Sequence, residues 1–178
     1  MQKQDKQLID LFTRYIIILL FGLGNLFILY KTLTPITLYT LRTILSIFTT
    51  TTITANIITT THLQIQLIPA CIAGSAYYLL LILNLTTPNI KLNKRIKILI
   101  ISFLSLLVLN ILRILLLISV NKTILFNPLH ELFWYAISTV FVIAIWIFTV
   151  KHYKIKNVPV YDDVRHLLKQ TKNPKTRK

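Results

Sequence analysis

Three side chains in this sequence have the types that nucleophilic chemistry can use: a thiol at Cys71, a guanidinium at Arg113 and an imidazole at His130. Cys71 is the single cysteine, which excludes an internal disulfide and leaves no Cys-x-x-Cys metal pair. It follows Pro69-Ala70 at the start of an apolar block, where the positive end of a helix dipole favours negative charge on sulfur. Arg113 stands inside a long apolar run. An arginine within hydrocarbon costs about 2.5 to 3.5 kcal/mol on insertion scales, so it is expected to face protein or a wet cavity and to have a task there. Asn110, three residues earlier, falls on the same helix face and could orient the guanidinium, and Glu131 is the carboxylate expected within its reach. A plain ion pair between Arg113 and Glu131 is the structural alternative to a chemical role. His130 is the candidate general acid and base, with His62 a weaker rival, while His152 and His166 fall in the C-terminal tail.

Long apolar blocks must position these groups. Of the 178 residues 54% are hydrophobic and 14% charged, against roughly 45 to 50% apolar in soluble domains. A block of about 20 apolar residues is what a helix needs to cross roughly 30 Å of hydrocarbon. The expected fold class is an all-α polytopic membrane protein, with a single transmembrane domain over 1–150 and about five helices near 12–30, 33–50, 70–87, 95–120 and 128–150. The second block is short and carries Arg42, read as a snorkelling side chain. Between the second and third, a stretch rich in Thr and Ile ends in the alternation Leu63-Gln64-Ile65-Gln66-Leu67, which predicts a short external β-like ribbon. Gly22-Leu23-Gly24 and Gly74-Ser75-Ala76 offer small surfaces against which another helix can close. Pro69 opens the third block and Pro88 ends it, and Asn127-Pro128 reads as an N-cap with proline at the first helical position. Trp134, Tyr135 and Trp146 suit interfacial anchoring.

The net charge of +15 comes from 20 Lys and Arg that sit mostly between and after the apolar blocks. Lys91, Lys94, Arg95 and Lys97 fill one connection, and residues 151–178 form a basic tail that is expected to be cytoplasmic. In that tail Tyr161, Val164, Leu167 and Leu168 have helical spacing, which suits either a helix on an anionic membrane surface or a solvated segment. With the basic connections inside, the ribbon, Cys71 and His130 lie at the outer face. Arg113, about seven residues below the outer end of its helix, sits roughly 10 Å down. The first block reads as a retained span, and the side on which Met1 lies depends on whether the second block crosses. The charge pattern is not that of a nucleic-acid-binding surface. No zinc-ligand spacing, phosphate loop, dinucleotide fingerprint or fixed-period repeat is present, so neither metal nor cofactor is expected.

The stretch Pro69-Ala70-Cys71-Ile72-Ala73-Gly74, then Asn110-Ile111-Leu112-Arg113-Ile114, then His130, resembles the exosortase and archaeosortase membrane transpeptidases, and the small size is similar to their compact archaeal members. The resemblance implies a cysteine nucleophile acting on exported proteins whose C-terminal sorting signal combines a short motif, a hydrophobic span and a basic end. Carried over, Cys71 would form a thioester and release the span, and an amine-bearing membrane lipid acceptor would resolve it. Arg113 would stabilise the thiolate or the oxyanion, and His130 would shuttle the proton. Two other classes remain open at this point: a small transporter or binding module in which Arg113 holds an anionic ligand, and a noncatalytic scaffold.

Overall fold

Gly24, Asn25 and Leu26 all take positive φ, at 65°, 55° and 60°, and they divide what reads in sequence as one span. The computed structural model describes residues 3–61, 63–88, 90–121, 123–133, 138–155 and 159. Before the break runs α1 (Lys3–Gly22) and after it α2 (Phe27–Leu45), which continues through Pro35. The expected boundaries near 12–30 and 33–50 are therefore corrected: the two form a single pair, bent by 68°. Glycine adopts the left-handed region without a Cβ penalty and asparagine tolerates it. Leu26 is held there by packing against the core.

A sheet of three antiparallel strands follows, β1 (Thr51–Thr54), β2 (Ile57–Thr60) and β3 (Gln64–Gln66), in the order β1-β2-β3. This is the ribbon expected from the alternation. Its register pairs Ile53 with Ile58 and Ile58 with Ile65, so one row of isoleucines crosses all three strands on a single face. Ile58 is fully buried, and Ile53 and Ile65 pack against the same core.

The remaining helices are α3 (Pro69–Ile72), α4 (Gly74–Leu85), α5 (Leu92–Ser119), α6 (Phe126–Leu132) and α7 (Ser138–His152). Pro69 opens α3 as expected, but the third block is cut at Ala73, whose φ is 57°. The fifth block begins earlier than expected, with Leu125 at the N-cap position and no side-chain cap. Asn127 is therefore not a cap, and Pro128 is the third residue of α6, still in the first turn, where its missing N–H has no helical partner to lose. Helices α4 and α5 run antiparallel, tied by Asn110 to Cys71 at one end and by Arg95 to Asn84 at the other. Helix α7 returns along α5, with Ser102 near Thr149 and the Lys94 ammonium donating to the Tyr153 carbonyl at 2.6 Å. Against α4 lies α1, where Tyr78 Oη donates to the Ile18 carbonyl at 3.0 Å and stands over Gly22, leaving no room for a Cβ.

Polarity along α5 is inside out. Its polar residues Ser102, Asn110 and Arg113 are buried, whereas Leu104, Val108, Leu112 and Leu116 form an exposed apolar face. A helix at a water-exposed surface shows the reverse arrangement. Apolar side chains are also exposed along α1, α2 and α7, among them Phe12, Leu20, Phe27, Ile143 and Phe148. By length and composition α5 is the one helix among the described residues that could cross a bilayer alone, and the bent α1–α2 pair is a second candidate; α4 and α7 are shorter apolar helices. The expectation of five separate spanning helices is thus reduced to these elements. His62, Trp134, Tyr135 and the tail residues Tyr161, Val164, Leu167 and Leu168 lie outside the described residues.

Candidate functional site

Ending α3 after one turn frees carbonyls that a continuous helix would have paired with amides four residues on. Two side chains of α5 take them. Arg113 Nη2 donates to the Ala70 carbonyl at 3.0 Å and Asn110 Nδ2 to the Cys71 carbonyl at 2.8 Å. Both α5 residues are buried, Arg113 to 6% and Asn110 to 2% of full exposure. The break is also held from the far side, because the Tyr30 ring of α2 lies where a Cβ on Gly74 would have to go, 2.7 Å from that position. The small surface read at Gly74-Ser75-Ala76 is thus used for a close approach, by Tyr30.

Cys71 is partly exposed, and it opens into a cavity of about 450 Å³. Arg113 and His130 line the same cavity. The three residues singled out by type, from α3, α5 and α6, are therefore brought together around one space. Arg113 holds the Ala70 carbonyl, one residue before Cys71, and shares the cavity with the thiol. A single turn aligns few peptide dipoles, so the helix-start effect expected at Cys71 is smaller than that of a full span, and Arg113 is the guanidinium that lines the cavity with the thiol. His130 stands in the last turn of α6, not in the first turn of its helix as expected, because α6 starts at Phe126. Its ring stacks on Phe126 at 5.8 Å between centroids.

The supporting residues are distributed differently from expectation. The hydrogen bond of Asn110 goes to the backbone of Cys71, so it positions the helix turn carrying the thiol. Glu131 is exposed and does not line the cavity. The remaining walls are Ile114, Leu117, Ile118, Asn121 and Phe126, together with the run 63–68. That run was read only as a ribbon; its part in the site had no residue-type signal. On its other side Arg113 borders a second cavity of about 360 Å³, with Tyr30, Pro69 and Ser75. Among the described residues no group of three or more His, Cys, Asp or Glu side chains is placed to hold a metal ion.

Chemically, a nucleophile, a fixed cation and a titratable imidazole around a largely apolar space are the components of acyl transfer through a thioester. Compared with known protein families, with curated proteins and with solved structures, the chain matches none.

Proposed function

We propose that this chain is an integral membrane cysteine transpeptidase or peptidase, of the kind its Cys, Arg and His order resembles. Its substrates would be exported proteins, cut at a C-terminal sorting signal on the outer face and passed to an amine-bearing membrane lipid. The observation that carries the proposal is the single cavity lined by Cys71, Arg113 and His130 from three separate elements. Support for the membrane comes from α5, whose polar side chains are buried and whose apolar face is exposed.

In this reading the chain crosses four times, with the bent α1–α2 pair as one crossing, then α3–α4, α5 and α6–α7. Both termini then lie inside. Support for an inner N-terminal end of α1 comes from Arg14, which donates to the Leu85 carbonyl at the C-terminal end of α4, the end that also carries Lys94 and Arg95.

In the first step His130 takes the Cys71 proton and the sulfur attacks the scissile carbonyl carbon. Arg113 opposes the charge on the resulting oxyanion. Collapse breaks the C–N bond, His130 returns the proton to the leaving amine, and the hydrophobic span departs while the protein is held as a thioester. An acceptor amine then attacks the thioester carbon, the new C–N bond forms, and the thiolate leaves and regains a proton. Asn110 keeps the turn bearing the thiol in place and touches no reacting atom.

The test is a source strain carrying Cys71→Ala at normal abundance, with membrane proteins mapped at their C-termini by mass spectrometry. Exported proteins retaining a motif, a hydrophobic span and a basic end should accumulate uncut. Unchanged C-termini across the membrane proteome would contradict the proposal.

A further inference from the structure

Gln64 and Gln66 turn their backbone amides and carbonyls away from the sheet. In the β2–β3 ladder the Leu67 amide donates to the Asn56 carbonyl at 2.9 Å, and the Thr60 amide to the Leu63 carbonyl at 2.8 Å. Antiparallel strands alternate between residues that exchange hydrogen bonds with the neighbour and residues that face outward. With Ile65 opposite Ile58, positions 63, 65 and 67 serve β2, and positions 64 and 66 offer two N–H and two C=O groups at the free edge. Among the described residues β3 pairs with β2 alone.

That edge borders the cavity. Side chains alternate across a sheet, so a space against one face is lined by every second residue. Here the lining run is continuous over 63–68, which places the cavity along the strand's edge. Ile65 points into the core while Gln64 and Gln66 are exposed. The same run leads directly to the nucleophile, since the Cys71 amide donates to the Ile68 carbonyl at 2.8 Å. The cavity therefore has, along one wall, backbone groups that no strand among the described residues pairs, and the thiol at the end of that wall.

The geometry points to strand addition: we infer that the substrate residues beside the scissile bond bind in extended form on the outer edge of β3, as a fourth strand whose carbonyl reaches Cys71. The inference rests on the cysteine reading above and specifies how its substrate is held. An exposed edge is a template for another extended backbone. Only a peptide main chain offers donors and acceptors at the repeat that positions 64 and 66 present, and recognition of this kind tolerates varied side chains. The apolar walls at Ile114, Leu117 and Phe126 then suit small or apolar residues.

The experiment uses the full chain in detergent and two kinds of thiol probe, iodoacetamide and acetylated peptidyl chloromethyl ketones of one to four alanine and valine residues. With the latter the sulfur displaces chloride, a thioether forms and the thiol proton is lost to solvent. Strand addition predicts that the rate on Cys71 rises with peptide length, by roughly tenfold or more from one residue to four, as edge hydrogen bonds accumulate. N-methylation of every second probe amide should abolish the gain in one phase and spare it in the other. Gln66→Pro, which removes an outward N–H while leaving the β2 ladder intact, should abolish it too, whereas Gln66→Ala should retain it. Iodoacetamide separates the two possible failures. If Cys71 reacts rapidly with iodoacetamide in both wild type and Gln66→Pro, and the peptide series shows no dependence on length or methylation phase, strand addition is wrong and the cysteine reading stands. If Cys71 reacts with iodoacetamide no faster than a free thiol and Arg113→Ala leaves that rate unchanged, both are overturned.

Discussion

The two ends of the α3–α4 segment are held by the same device, arginine donating to backbone carbonyls, yet one end borders the cavity of Cys71 and His130 and the other caps a helix C-terminus. At the C-terminal end of α4 Arg95 donates to the carbonyls of Asn84, Leu85 and Thr87, and Arg14 adds a bond to Leu85 at 2.8 Å. The C-terminus of a helix leaves carbonyls unpaired and carries partial negative charge, so cations there satisfy both needs. Arg95 and Arg14 are as buried as Arg113. At the other end Arg113 makes a similar bond to Ala70 but also lines a cavity with a thiol and an imidazole. A buried arginine is therefore not by itself the mark of a site. What distinguishes Arg113 is the company of Cys71 and His130 around one cavity.

The contrast breaks or sharpens under substitution. The largest loss of stability is expected for Arg95→Ala, which strips three buried carbonyls of a charged donor and should cost about 3 kcal/mol or more in unfolding free energy. Thermal unfolding in detergent measures this, and the folded fraction should alkylate at Cys71 as fast as wild type. Next comes Gly74→Ala, whose new Cβ would stand 2.7 Å from Tyr30 ring carbons. It should destabilise by about 1 to 3 kcal/mol, and a second change, Tyr30→Leu, should recover part of that loss in a double-mutant cycle. Asn110→Ala leaves the Cys71 carbonyl without its donor and should cost about 1 kcal/mol. Because Asn110 fixes the turn that carries the thiol, peptide-probe rates should fall more than iodoacetamide rates. The smallest effect belongs to Glu131→Gln, an exposed position away from the cavity, which should change stability by less than about 0.5 kcal/mol and leave labelling unaltered.

Much of the candidate site was legible because it depends on residue types and on the lengths of the apolar blocks. Cys71, Arg113 and His130 could be placed at one end of the molecule from the run of Lys91 to Lys97 and the apolar block lengths, and the cavity unites them. The ribbon was legible from its two-residue alternation. The breaks were not. Ala73 has no preference for the left-handed region, and its conformation is set by contacts distant in sequence: Tyr30 over Gly74, and Asn110 and Arg113 on the freed carbonyls. Leu26 is a similar case, since nothing in a leucine signals positive φ. Arg95 read as one more charge in a basic connection, because a cation that caps a helix and a cation that orients a membrane protein look identical in sequence. The outward edge of β3 was hidden for another reason: it is made of backbone, and residue types at Gln64 and Gln66 do not report it.

The most direct measurement is the alkylation rate of Cys71 by iodoacetamide at one fixed pH near neutrality, in wild type and in Arg113→Ala. Removing the arginine side chain enlarges the space around the thiol, so a mere packing cysteine should react at the same rate or faster. If Arg113 stabilises negative charge on the sulfur, the variant should react more slowly despite its greater access, by roughly tenfold, the factor that corresponds to about 1.4 kcal/mol. An unchanged or faster rate in Arg113→Ala would contradict an activated thiol and with it the proposed chemistry.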